Sequence, residues 1–575
     1  MKFTKYYLPL FALTMSLTSC GFGFYRVTYD TTALENKNVS AYSIFNIDAA
    51  TTYDLETKKT KGKINIRYEK NKEYIPYITI EDYLSLLPFK REFVYKVYDS
   101  YSGQRVDIGI KDSIDGTISS YYYAARFLNG SKTVQYQGGF NSAMTTYEDK
   151  PELIEGLDTK ERIVGGQNSA SYANYYNFNF NSYLNNDLVY YPLMFLNTVF
   201  SDDSGINVIY DMDKLFVFSD YKDASNFVYS LNDEECRIYT ATEKYAHEHN
   251  QNVMPKYLRD FNRDILLFTM DNYYGIKTTR GINSMISYYK SSGLYDKFVD
   301  EDASIRNLAI SEAINKLNDD HTGIIANFYG PVWGDLVTTE RGEDSKARSA
   351  AEKLLSDNRK AVYENSGLTL KDVRYSSDGK VAVIVFDAFM EEDIPLLVEN
   401  LNKVVAKGGV EKVVLDISTN GGGYLANLYK ALAIISEDPV YSINFHIDTA
   451  NVTYELYGEY DANGDEKYDK DDCYGDDFKF YILTSKASFS CGNAFPCDAK
   501  VNGLATIIGE TSGGGECAVA THLLGNHFFF QHSSINHLGT YKNGRFIGFE
   551  PGATPDISLS YDDFYDIEKI AEAIK

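Results

Sequence analysis

A chain of 575 residues exceeds the usual size of one compact domain, and about three or four units are expected. With 81 acidic against 56 basic residues it carries a net charge of −25, so nucleic acid, which is bound through Lys and Arg, is not an expected partner. Six scattered cysteines do not make a disulfide framework, although one or two bridges fit the spacing, Cys497 with Cys517 among them.

Lys2 and Lys5 precede an apolar run from Tyr6 to Leu17 that ends Leu17-Thr18-Ser19-Cys20-Gly21. This is the layout of a secretory signal peptide over residues 1–20, with an apolar segment too short to span a bilayer. Leu-Thr-Ser-Cys resembles the bacterial lipobox. That resemblance implies a lipid on Cys20 and an extracytoplasmic, membrane-anchored bacterial lipoprotein. An ordinary signal peptide ending at a coincidental cysteine is the alternative.

Residues 21–250 are rich in Tyr, Asn, Ser and Asp and carry strand-like alternation such as Lys63-Ile64-Asn65-Ile66-Arg67-Tyr68. Within them, Tyr74-Ile75-Pro76-Tyr77 and Tyr190-Tyr191-Pro192 each precede a short amphipathic helical pattern. A mixed β/α accessory domain of two related halves is expected, either presenting substrate or acting as a spacer from the membrane. From residue 251 to 322 the pattern turns helical, with Leu258, Phe261, Ile265 and Leu266 and then Ile305, Leu308, Ile310, Ile314 and Leu317 at three- and four-residue steps. The charged stretch 329–379 reads as irregular.

The remainder of 323–575 alternates strands with helices: strand 381–386, helix 394–406, strand 413–416, helix 425–435, strand 478–484, helix 494–500 and strand 505–508. This predicts a layered α/β core with mostly parallel strands.

Two of those strands end in chemistry. Val413-Val414-Leu415-Asp416 runs into Ile417-Ser418-Thr419-Asn420-Gly421-Gly422-Gly423, a loop where backbone comes close to something. Tyr481-Ile482-Leu483-Thr484 runs into Ser485-Lys486-Ala487-Ser488-Phe489-Ser490-Cys491-Gly492. Bare amides on one strand end and a hydroxyl on the next supply an oxyanion hole and a nucleophile for acyl transfer. A serine hydroxyl needs a base, and among eight histidines His321 stands apart at the end of the helical layer, in Asp319-Asp320-His321-Thr322.

These motifs, with Ile507-Ile508-Gly509-Glu510-Thr511-Ser512-Gly513-Gly514-Gly515, resemble the tail-specific, or C-terminal processing, serine peptidase family, in its tricorn-core branch. The resemblance covers about residues 254–575. It implies a crotonase/ClpP-like β-α spiral as the core and polypeptides as substrates. In the bacterial tail-specific branch the base is a lysine twenty-five residues after the serine, and here that count from Ser490 reaches Gly515. The tricorn-like branch uses Ser, His and a downstream Glu, which maps onto Ser490, His321 and Glu550. Where that branch has a serine just before its histidine, this chain has Asp320. The resemblance thus implies Ser490 as nucleophile, His321 as base, Glu550 as the orienting acid, and the amides of Gly421 or Gly422 and of Cys491 as the oxyanion hole. Ser488 is the competing nucleophile.

Catalysis of this kind needs no cofactor. A separate acidic run, Asp461-Ala462-Asn463-Gly464-Asp465-Glu466-Lys467-Tyr468-Asp469-Lys470-Asp471-Asp472, spaces oxygen donors as a calcium loop does and resembles dockerin loops. Side chains of Asp461, Asn463, Asp465, Asp469 and Asp472 and the carbonyl of Lys467 would be the ligands of a structural calcium; a solvated acidic hairpin is the other reading. His522, His527, His532 and His537 recur at steps of five, which alternates faces on a strand and does not make a zinc site without turns.

The expectation is an exported, lipid-anchored serine endopeptidase working through an acyl-enzyme. The alternatives are a catalytically inactive peptide-binding or scaffold lipoprotein, or a small-ester hydrolase. Ser490 lacks the Gly-x-Ser-x-Gly elbow of α/β-hydrolases.

Overall fold

The computed structural model describes residues 34–43, 59–87, 93–98, 105–114, 117–136, 157–165, 171–185, 188–204, 206–210, 214–218, 253–327, 339–438, 440–446, 451–467, 470–525, 528–543 and 545–575. The signal segment with Cys20, and also Asp469 and His527, lie outside the described residues.

The centre of the molecule is a six-stranded sheet in the order 374–375, 381–385, 412–416, 479–484, 505–509 and 557–558. All neighbours run parallel except the first pair. Parallel strands of this kind are buried on both faces, and the sequence obliges with continuous apolar runs. Ala382, Ile384, Val413 and Leu415 point to one face, where helices Asp393–Lys407, Leu425–Ile434 and Cys491–Val501 pack. Val381, Val383 and Val414 point to the other, against Leu355 and Ile570. The predicted strands and helices from residue 381 onward are present, most ends agreeing within a residue or two. The nucleophile helix differs most, starting at Cys491 where 494 was predicted.

The stretch 329–379 is a correction. Residues Glu343–Asn365 form a 23-residue helix. Its buried stripe is narrow and partly polar, namely Ser345, Ala351, Leu355, Arg359 and Tyr363, so its apolar periodicity is weak although its helical propensity is not.

The predicted helical layer comprises Lys256–Asn272, Met285–Ser291 and Ala303–Asn315. It leads into the His321 turn and the strand Gly323–Asn327, which pairs with the long strand Phe528–Lys542. In the N-terminal part the two echoing segments are neighbours: Tyr190 pairs with Thr79 and Pro192 with Tyr77, and each leads into a helix, Ile80–Leu86 and Leu193–Ser204.

One apolar core, from Val39 to Phe530, runs through both sides of the expected boundary near residue 250. Asn207 donates to the Thr521 carbonyl at 3.2 Å. Strand Leu157–Gly165 pairs antiparallel with Asn451–Tyr460 of the C-terminal half. Among the described residues no helix is long and apolar enough to cross a membrane. Cys497 and Cys517, the pair the spacing allowed, are free thiols.

Candidate active site

Asp416 and Leu483 are register partners, so the glycine loop and the serine loop leave the sheet side by side at its carboxyl edge, where open α/β sheets place their sites. Asn420, fully buried, ties the two together. Its Nδ2 donates to the Phe386 carbonyl at 2.8 Å, its Oδ1 accepts the Gly422 amide at 2.9 Å, and its carbonyl accepts the Phe489 amide at 3.0 Å.

Ser490 is the cap residue of the helix Cys491–Val501, with φ 56° and ψ −124°. A non-glycine residue held there stores about 1–3 kcal/mol of strain and persists only where its surroundings enforce it. They do so here: the Ser490 amide donates to the Gly514 carbonyl at 3.0 Å, and its own carbonyl accepts from Asn493 and Ala494. Its side chain remains part-exposed. Ser488 is different. It is buried, its Oγ donates to the Ile417 carbonyl at 2.7 Å and accepts the Ser485 amide at 3.0 Å, so it is committed to bracing the loop.

Gly422 has a role other than the expected one. Its amide is spent on Asn420, while a Cβ at this position, φ 113°, would lie 2.8 Å from Ser490 Cβ and 3.1 Å from its Oγ. Gly422 therefore makes room for the serine. The Gly421 amide donates to no acceptor among the described residues. Cys491 holds the first helical position, where an amide has no acceptor within the helix. Its thiol, buried and pushed up to about 12, donates to the Gly423 carbonyl.

His321 is 6 % exposed. Its turn is fixed by Asp319, which accepts the His321 amide at 3.0 Å and the hydroxyls of Thr322 and Ser533 at 2.5 and 2.8 Å. The ring lies 4.7 Å from that of Phe489, the residue before Ser490. A Cβ on Gly515, φ 86°, would be 2.7 Å from Phe489 and 3.1 Å from His321 Cε1. No side chain fits at 515, and the imidazole occupies the space beside it. Burial lowers the imidazole pKa from its ordinary value, Asp319 and Asp320 oppose that, and Arg348 adds to it. Nδ1 is buried with no hydrogen-bond partner among the described residues.

Glu550, expected as the orienting acid, makes its contacts elsewhere than on that nitrogen. Its Oε2 accepts the amides of Gly515 and Glu516 at 3.1 and 3.2 Å, and its Oε1 faces Arg280 at 3.3 Å. Burial raises its pKa, the nearby Asp319 and Glu516 carboxylates add to that, and Arg280 opposes it. Glu550 thus bonds the Gly515 amide, while the His321 ring lies beside the space a Gly515 side chain would take.

Residues 380–559 match the family model of peptidase family S41. This segment is a serine-type S41 peptidase domain. No curated protein matches the chain. Low-scoring structural similarity extends to a lipoprotein from Streptococcus agalactiae, at 12% identity over 56% of this chain and 97% of that one with a TM-score of 0.35. It extends also to mature CPAF complexed with lactacystin, at 12% over 56% and 97% with 0.36, and to the photosystem II D1 C-terminal processing protease, at 14% over 36% and 49% with 0.28. His321 lies outside the segment matched to S41, brought to it by the helical layer.

Three groupings were missed in the sequence. Asn420 was visible within the glycine motif. Glu516, Cys517 and His537 form a buried cluster beside the S41 site: His537 Nδ1 bonds Glu516 Oε1 at 2.6 Å and its Nε2 lies 3.6 Å from Cys517 Sγ. With Nδ1 taken by the carboxylate, the cluster lacks three ligand atoms free to converge on one ion. His522 and His532 stack at 4.9 Å on adjacent strands, both buried.

In the acidic loop, Asp461 accepts the amides of Gly464, Asp465 and Glu466, and Asp472 those of Ala462 and Asn463. Asn463 accepts the Asp465 amide, and the Lys467 ammonium sits 3.1 Å from Asp465. Side-chain oxygens of Asp461, Asn463, Asp465 and Asp472 thus already accept hydrogen bonds from the loop itself.

Proposed function

We propose that this protein is an exported, lipid-anchored serine endopeptidase. Ser490 Oγ attacks the carbonyl carbon of a peptide bond while His321 takes its proton. The C–N bond then breaks, His321 returns the proton to the leaving amine, and the acyl group stays on Ser490 as an ester. Water, deprotonated by His321, attacks that ester, the bond from the acyl carbon to Ser490 Oγ breaks, His321 returns the proton to Oγ, and the acid product leaves. The oxyanion of each tetrahedral intermediate is met by the amides of Gly421 and Cys491, each such donor being typically worth about 3 to 4 kcal/mol of barrier.

The observation that carries this reading is the strained Ser490, at a helix start against a glycine that leaves it space, with a buried histidine one ring away. Glu550 acts in this scheme through the Gly515 backbone rather than on the imidazole. The lipid on Cys20 rests on the sequence alone, and mass spectrometry of the mature N-terminus tests it.

The deciding experiment digests an unfolded protein mixture with residues 21–575 and with their Ser490→Ala twin, reading new termini by mass spectrometry. Termini that depend on Ser490 are expected. Identical products would replace the peptidase by a peptide-binding lipoprotein or, if small acyl esters are cleaved, by an esterase.

A further inference from the structure

The helix Glu343–Asn365 precedes the segment matched to the S41 model, yet it touches both halves of the site. At its start, Asn318 and Asp344 exchange two hydrogen bonds, side chain to side chain at 2.6 Å and Asp344 amide to Asn318 Oδ1 at 2.9 Å, directly before the His321 turn. Ser345, the next residue, and Arg348, one turn on, both bond the Asp320 carboxylate. The Arg348 guanidinium also lies 4.8 Å over the ring of Phe489, which packs against His321 and directly precedes Ser490 in the chain.

Eleven residues further on, about 16 Å along the axis at 1.5 Å per residue, Arg359 reaches the other half. It is 3 % exposed. Its Nη2 bonds Asp387 Oδ2 at 2.6 Å and Thr419 Oγ1 at 2.8 Å, and Nη1 faces Asp416 Oδ2 at 3.4 Å. Thr419 in turn donates to Asp387 at 2.9 Å, and Asp416 Oδ1 accepts both the amide and hydroxyl of Ser418. Residues 416–419 are the approach to Asn420 and Gly421. A planar, always charged fork suits this task, because it fixes two carboxylates and a hydroxyl in one plane where an ammonium would fix one point.

We propose that this helix is a splint that sets the spacing between the His321 turn and the loops carrying Ser490 and the Gly421 amide, with Arg348 and Arg359 as its positioning residues. The kinetic part of the idea rests on the serine peptidase reading, and the structural part does not. Neither arginine touches substrate. Their loss acts by letting the base and the oxyanion amides drift apart, and a displacement of about 1 Å can cost on the order of a hundredfold in rate.

The test uses Arg359→Lys, Arg348→Lys and the milder Asp387→Asn, at a half-exposed partner, with Lys353→Ala on the solvent face of the same helix as the control. Turnover, melting temperature and amide exchange of peptides covering 416–424 and 318–324 are read together. We expect Arg359→Lys to lower kcat by about 10- to 100-fold with KM within about twofold. Exchange should quicken in 416–424 for Arg359→Lys and Asp387→Asn, and in 318–324 for Arg348→Lys. Lys353→Ala should change none of these.

Unchanged exchange and kcat in the three variants would overturn the splint. So would kcat losses that merely follow a lowered melt, with exchange quickened evenly across the chain. If the wild type shows no Ser490-dependent turnover, the peptidase reading fails, and the exchange pattern alone decides the splint.

Discussion

Two buried histidines, His321 and His537, differ in every respect that matters for catalysis. His537 has a carboxylate on Nδ1 and a thiol near Nε2, the layout of an acid–base–nucleophile triad, yet all three groups are sealed in the core. His321 Nδ1 has no hydrogen-bond partner among the described residues, but its ring packs on Phe489, the residue before a strained, part-exposed serine. The difference teaches that a well-made carboxylate–imidazole pair is no sign of an active site by itself. The nucleophile's access and backbone conformation discriminate better. A buried thiol whose pKa is driven well above its ordinary value by burial and by Glu516 is inert.

Substitutions should separate the two histidines sharply. Ser490→Ala and His321→Ala are each expected to lower kcat by about a thousandfold or more while leaving the melt close to wild type. His537→Ala should do the reverse. It leaves the buried Glu516 carboxylate short of a hydrogen bond, at a cost of about 1–3 kcal/mol, and kcat per folded molecule should hold within a few-fold. A melt unaffected by His537→Ala, or turnover surviving His321→Ala, would break the comparison.

A smaller effect is expected at Glu550. With Oε1 facing Arg280 and Oε2 accepting two amides, Glu550→Gln keeps the shape but weakens both contacts, and a fall in kcat of about tenfold is expected. A loss as large as that of His321→Ala would mean that Glu550 swings onto Nδ1 in the working enzyme.

The pH profile sharpens the contrast further. His321 must be neutral to accept a proton, and burial lowers its pKa, so the acid limb of kcat/KM should fall below the ordinary histidine value of about 6.5. Unfolded His321 regains that ordinary value. Between the two values the unfolded chain binds more protons, so this contribution to stability is lost as pH falls through the window. Glu550 has the opposite sign, its raised pKa giving a contribution that is lost as pH rises through it. An acid limb above about 7 would exclude a desolvated imidazole as the base.

The smallest effect is expected from chelation. A loop whose carboxylates already accept six backbone amides should lose less than about 1 °C of melting temperature in EDTA. A drop of several degrees would show that calcium holds Asp461, Asp465 and Asp472.

The four inner strands of the central sheet were legible because each is a short apolar run closed by a polar or glycine-rich loop, whereas the two-residue outer strands 374–375 and 557–558 carry no such run. The contrast with Glu343–Asn365 is instructive. Its buried stripe contains a serine and an arginine whose partners lie far away in sequence, so neither periodicity nor spacing marks them. Ser490 and His321 stand out in the sequence by residue type and loop, and the structure packs the His321 ring on Phe489, the residue before Ser490. Gly422 was legible as a glycine but not in its task, because whether an amide points at substrate or at Asn420 depends on a side chain two residues back. Glu550 was found by its place in the chain, and its partner Arg280, 270 residues away, carries no local signal.

The strand Leu157–Gly165 closes the edge of the sheet that contains Asn451–Tyr460. A recombinant protein cut to begin at residue 251 would strip that closure and leave a ten-residue strand with unpaired backbone along one side. Such bare edges recruit other chains, so the shortened peptidase should precipitate or form fibrils, and preparations for assay or crystallisation are better begun at residue 21.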